Sequence, residues 1–294
     1  MNLKARQRLN GTIFDRLGLR LERTRPTRRM LERTSRTYQP LPIEEVNDLR
    51  FRSTAWTYRV PVSQLVGRPI FGYGEQSWHP FVAAIAQILR EPEIPYDRSL
   101  LKRFYEVFTP TTIADAHRLV EPGPLHEIRA LSLFEPWSVP PPPHDDPYSR
   151  HPVPGSPLFG PASYAAGAAE WRRLKYVLSS VQKYGYQPDL FPRGRINVTV
   201  LRSLHSDRYL VRHGQHRAAV MAALGIESIE VGIHESLDRI VDEVEVDSWP
   251  HVDSGLITRE AALELFAGYF APPDSDPALE IGSMVGEIFP TRSM

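Results

Sequence analysis

"YLVRHGQHRAAVMAALG", residues Tyr209 to Gly225, reads as a strand, a tight turn and a helix. Tyr209 and Val211 alternate with polar residues, the period of a half-buried strand. After Gly214 the spacing predicts a helix to Leu224, with Gly225 as its stop. A helix begins with backbone N–H groups that lack intrahelical partners, and its dipole adds partial positive charge there. A glycine before such a start lets the chain bend and lets an anion come close. His216 and Arg217 add side-chain donors at the same spot, and a guanidinium fork suits two phosphate oxygens. Two readings follow: a phosphate site, or an ordinary turn with exposed polar side chains. Ala218, Ala219, Ala222 and Ala223 let the helix lie close to a sheet.

Outward from the turn, Ile229, Val231 and Ile233 alternate as a following strand, and Ile196, Val198 and Val200 as a preceding one. Upstream again, Trp171, Leu174, Leu178 and Val181 line one face of a helix over 163–184, with Ser163 as its cap and Gly185 as its stop. This order of elements resembles the ParB/sulfiredoxin-like superfamily. The residues that carry the resemblance are Ser180, Gly185, Pro188, Gly214, His216, Arg217, Gly225, Ile229 and Val231, within about residues 170–235. The resemblance implies a nucleotide-binding sheet-and-helix core with the G-x-H-R turn on the phosphates. Sulfiredoxins, CTP-hydrolysing partition proteins and free-serine kinases belong to that group.

Three departures narrow the choice. Gln215 stands where sulfiredoxins carry a reactive cysteine, which excludes sulfinic-acid reduction. No helix-turn-helix unit of the partition proteins follows the core, and their arginine-rich nucleotide motif is not evident. The stretches "FGPASYAAGAAEWRRLKYVLSSVQKYGY", "HGQHRAAVMAALG" and "VDSWPHVDSGLITREAALELF" are similar to a branch associated with bacterial surface-polysaccharide gene neighbourhoods. That likeness supplies context and no activity.

The fold class expected is therefore α+β: a small ParB/sulfiredoxin-like core over 162–236 with helical additions on either side. Residues 1–40 form a basic arm, 41–161 a helical region and proline-rich wrap, and 237–294 a C-terminal helical extension. In the second region Phe81, Ile85, Ile88 and Leu89 repeat at helical spacing, as do Leu100, Leu101, Phe104, Tyr105 and Phe108. Pro92 and Pro95 separate these helices, Pro110 ends the second, and a short third covers Thr111 to Leu119. Residues 121–161 hold twelve of the 28 prolines, and Leu133, Phe134 and Trp137 predict an ordered wrap rather than a free linker. A last helix opens at Thr258 and carries Leu265, Phe266, Tyr269 and Phe270.

Composition bounds the chemistry. The 294 residues include 35 basic and 35 acidic side chains, so global charge gives no push toward nucleic acid. Residues 1–37 hold eleven Lys/Arg against three Asp/Glu, a net of +8, which leaves −8 for the rest. Such a segment can lie on an anionic membrane surface or form a loosely docked arm. The absence of cysteine removes disulfides, thiolate metal sites and cysteine nucleophiles. No secretory signal core is evident, so a cytoplasmic protein, with peripheral membrane contact through 1–37, is the expectation. No G-x-S-x-G, Walker A or G-x-G-x-x-G sequence occurs.

A phosphate site without cysteine or metal-ligand spacing points toward phosphoryl transfer, with ATP and Mg²⁺ as cofactors. Gly214, Gln215, His216 and Arg217 are the phosphate-binding candidates. Asp189, Glu170 and His216 are the catalytic ones; the carboxylates either orient an acceptor hydroxyl or Mg²⁺, or are a turn aspartate and a solvated helix charge. Arg173 reaches a phosphate or pairs with Glu170, three residues away; Tyr186 stacks on a base or fills the core. His79, ahead of Pro80, fits a helix entry. His205, His213 and His216 lack zinc-ligand spacing. The leading expectation is an ATP-dependent phosphotransferase acting on a small molecule or a sugar or glycolipid precursor. A nucleotide-dependent switch or DNA-associated protein, and a non-catalytic partner of membrane glycosyltransferases, are the alternatives.

Overall fold

The order of strands shows how the chain is wound. A computed structural model describes residues 57–119, 123–127, 135–138, 158–188, 194–233 and 240–272. Seven strands form one mixed sheet: β1 (Thr57–Pro61), β2 (Leu65–Gly67), β3 (Phe71–Gly72), β4 (Ile196–Arg202), β5 (Asp207–His213), β6 (Ser228–Ile233) and β7 (Ile240–Asp242). They pair in the order β1-β6-β4-β5-β2-β3, with β7 added beside β4. β1–β6 and β4–β5 are antiparallel, whereas β2–β5, β4–β6 and β4–β7 are parallel.

Strands β1 and β2 lie four positions apart in this order, yet only Val62–Gln64 separate them in the chain. Four strand spacings across a flat sheet measure about 19 Å. Four residue steps reach at most about 14 Å. The sheet therefore curls, and the short 3-10 turn Val62–Gln64 ties its far strands together.

Seven α-helices flank the sheet among the described residues: α1 (Pro80–Arg90), α2 (Leu100–Val107), α3 (Ile113–His117), α4 (Tyr164–Tyr184), α5 (Gln215–Ala223), α6 (Pro250–Asp253) and α7 (Arg259–Gly268). Five of their starts follow side-chain capping. His79, Ser99, Thr112, Ser163 and Thr258 each accept a hydrogen bond from a first-turn amide. Thr112 and Asp115 cap each other's backbone reciprocally. Gly185 and Gly225 take positive φ at the ends of α4 and α5.

Two apolar clusters occupy the two faces of the sheet. One joins α1, α2, α4 and α5 to Tyr209 and Val211 of β5; it includes Phe81, Leu101, Phe104, Trp171 and Leu174. The other joins α3, α7 and the 3-10 segment Glu243–Ser248 to Leu210 and Leu201. The architecture is thus mixed α/β, in the α+β class expected. Helix α1 packs against α4 and α5, so the early helices share one core with the sheet.

Two local expectations are corrected. Strands β4 and β5 are not half-buried: Val198 to Leu201 and Tyr209 to Arg212 are all buried. Thr199 and Arg212, the polar members of the alternation, face the second cluster and bond to each other at 2.9 Å. Residues 57–72 add three strands to the sheet, and β7 adds a strand to the C-terminal extension. These strands span two to five residues, too short for a period to register. The basic arm 1–40, Pro140 to Pro143, Leu133 and Phe134 lie outside the described residues.

Candidate functional site

Strand β5 ends at His213, and Gly214 turns the chain into α5 with φ +90°. A Cβ there would meet Ile196 Cγ1 at 3.0 Å and Ile196 Cα at 3.1 Å. Glycine is required by both dihedral and space. No side chain caps α5, in contrast to α1, α2, α3, α4 and α7. Ala218 and Ala219 are fully buried and seat the helix against the sheet.

His216, in the first turn of α5, has its Nε2 2.5 Å from Glu170 Oε2, on α4. Arg173 Nη1 donates to the other Glu170 oxygen at 3.2 Å. Glu170 and His216 are 15% and 16% exposed, whereas Arg173 is 61% exposed, so the first two define a shielded dyad and the third its rim. Burial works to raise the Glu170 pKa; the hydrogen bond from His216, the charge of His216 and that of Arg173 outweigh it and hold the carboxyl below its ordinary range. The His216 ring stacks on Phe81 at 5.0 Å, with 14° between planes. Beyond Phe81 lies His79, whose ring is 5.6 Å from it. Burial, assisted by the nearby His216, pushes the His79 imidazole down to about 3. Its Nδ1 accepts from the Phe81 amide, so the neutral ring carries its proton on Nε2.

Arg217 turns away from the dyad. Its Nη1 donates to the Gly194 carbonyl and its Nη2 reaches the Arg195 carbonyl at 3.4 Å. Burial works against its charge. Tyr186 supports the same corner: its hydroxyl donates to the Glu230 carbonyl at 3.1 Å and accepts from the Ile196 amide at 2.9 Å. Arg195 closes the group with an ion pair to Glu230 at 3.1 Å.

The candidates thus fall into two groups on either side of α5's first turn. Glu170, His216 and Arg173 meet on one side; Gly214, Arg217 and Tyr186 gather round Gly194–Ile196 on the other. Gln215 is the first residue of α5 and is partly exposed. Asp189 lies outside the described residues. Sequence reasoning did not single out Phe81 or the Gly194 and Arg195 carbonyls, because a backbone oxygen and a core aromatic carry no local signature of a site.

Among the described residues no group of three or more His, Cys, Asp or Glu is placed to hold a metal ion. Among the described residues, Glu170 is the carboxylate that contacts the turn, through His216. That donor set suits a Mg²⁺ delivered on a nucleotide's phosphates, which needs only one or two carboxylates from the protein. Among the described residues no helix is long and apolar enough to cross a membrane. A cavity of about 770 Å³ lies elsewhere, lined among others by Ser63, Gln64, Tyr73, Arg208 and Phe270. It touches α5 only near its C-terminal end, at Ala222. In comparisons with known proteins, the chain matches no family model, no curated protein and no solved structure.

Proposed function

We propose that this chain is an ATP-dependent phosphotransferase with a ParB/sulfiredoxin-like core, whose nucleotide phosphates sit at the Gly214–Arg217 turn. The observation that carries the reading is the His216–Glu170 contact at 2.5 Å beside a helix start that no side chain caps. The first-turn amides of α5 offer donors to an anion. Beside them, a carboxylate held in its ionised form orients an imidazole, the arrangement of a general base and its orienting partner.

In this reading the acceptor hydroxyl attacks the γ-phosphorus and its proton passes to His216, steadied by Glu170. The bond from the γ-phosphorus to the bridging oxygen breaks and ADP leaves. A Mg²⁺ beside Glu170 would supply charge neutralisation to the phosphates. Arg217 acts from behind, by pinning the 194–195 segment against the turn. The resemblance supports a small molecule or a sugar or glycolipid precursor as acceptor. The reading includes a cytoplasmic site of action, with the basic residues 1–37 as a peripheral membrane contact.

Gln215→Glu tests the phosphate site. A carboxylate in the first turn favours the helix itself by a few tenths of a kcal/mol, so the fold is retained. The same charge repels a polyphosphate. MgATP at 5 mM is expected to raise the thermal midpoint of the wild type and to leave that of Gln215→Glu unmoved. An equal rise in both proteins, or none in the wild type with any nucleoside triphosphate, would overturn the reading.

A further inference from the structure

On the sheet face opposite α5, Arg212 is 4% exposed and paired with Glu135. Its Nε donates to Thr199 Oγ1 at 2.9 Å and its Nη1 donates to Glu135. Glu135, 3% exposed, also accepts from Ser138 Oγ at 2.9 Å. A second guanidinium, that of Arg68 just beyond β2, approaches the same carboxylate only to 3.8 Å. That distance is an ion-pair contact and too long for a hydrogen bond. Among the described residues two cations share one anion here, and the sum is +1.

The donors are in excess as well. Arg68 Nε is buried without a partner, and among the described residues the Arg68 side chain makes no hydrogen bond. Trp137 Nε1, two residues along from Glu135, is also buried without a partner. Both are donors. Burial works against the Arg68 charge and Arg212 adds repulsion; Glu135 opposes both. Buried charges are ordinarily paired, and an unmet donor in a native protein marks a missing acceptor. The Arg68 side chain keeps 22% of its surface open.

We infer that Arg68, backed by the Arg212–Glu135 pair, holds a small oxyanion of the phosphate class. The guanidinium edge supplies two parallel N–H donors, and Arg212 behind it raises the local potential. This site is independent of the nucleotide reading. Arg212 points to the second apolar cluster, whereas Tyr209 and Val211 point to the α5 side.

The test is the thermal midpoint of the full chain in 10 mM inorganic phosphate, against sodium chloride of equal ionic strength. A rise of about 3 °C is expected in the wild type and in Gln215→Glu, that of a ligand held well above its dissociation constant in a domain of this size. Arg68→Gln is expected to abolish it and Arg68→Lys to keep part of it. Amide shifts on phosphate titration, centred on Arg68–Ile70, give a readout that needs no variant. The inference is overturned by no rise in the wild type, by an undiminished rise in Arg68→Gln, or by amide shifts centred on Gly214–Arg217. A structural ion pair only is the conclusion in the first two cases, and an anion at the α5 turn in the third.

Discussion

Glu170 and His216, 46 residues apart in sequence, meet at 2.5 Å where α4 crosses the first turn of α5. The imidazole is fixed from two directions, by that carboxylate and by the Phe81 ring on which it stacks. Glu170→Gln keeps the shape and removes the charge that orients the imidazole. Under the phosphotransferase reading, turnover is expected to fall about 100-fold or more, with the ATP-induced midpoint shift retained. Single-turnover phosphate transfer, measured beside the thermal shift, separates the two effects.

Gly214 combines φ +90° with close contact to Ile196. Alanine at this position pays the left-handed backbone cost, about 1–2 kcal/mol, and must also push Ile196 aside. A loss of about 2–4 kcal/mol in urea unfolding is expected. A loss under 0.5 kcal/mol would mean that the turn can adopt another conformation.

Glu135 is the counter-charge of the buried Arg212. Glu135→Gln strands that guanidinium, and a loss of about 3–5 kcal/mol is expected. The double variant Glu135→Leu with Arg212→Met removes both charges and is expected to recover most of that loss. Chemical denaturation of both variants checks the pair; equal losses in the two would refute the counter-charge role.

Burial pushes His79 down to about 3 and His117 down to about 4. Both stay neutral in the folded chain at pH values where the unfolded chain, with its ordinary histidine pKa near 6.5, takes up protons. The unfolded state then binds more protons, so stability is full above about pH 6.5 and falls as pH drops toward 4. Two such groups give a slope of up to roughly 2.7 kcal/mol per pH unit. His117→Leu is expected to remove about half of it, measured as unfolding free energy at pH 5, 6 and 7. Glu170 adds a loss at lower pH, as its carboxylate protonates below its depressed pKa.

The sequence made the central junction legible because its signals are local. Gly214 marks the turn, alanines mark the seat of α5, and the caps at Ser163 and Thr258 follow from residue type alone. The pairing of Glu170 with Arg173 was equally readable, being a three-residue helix spacing. Its pairing with His216 was not, because it depends on how α4 and α5 pack. Arg217 shows the same limit from the other side: a guanidinium looks alike in sequence whether it waits for a phosphate or holds two carbonyls. Thr199 and Arg212 misled more actively. Their polarity suggested a solvent face, when in fact they bury each other, and Arg212 pairs with Glu135, 77 residues away.

The curled sheet orders events during synthesis. β1 leaves the ribosome early, but its partner β6 lies about 170 residues further along the chain. Until then Tyr58 and Val60 have no neighbouring strand, and the Val62–Gln64 turn has no far edge to fasten. Pairing so distant in sequence closes slowly and leaves the waiting edge open to other chains. The nascent β1 is therefore the stretch that most needs shelter, and its capture by β6 completes the seven-stranded sheet.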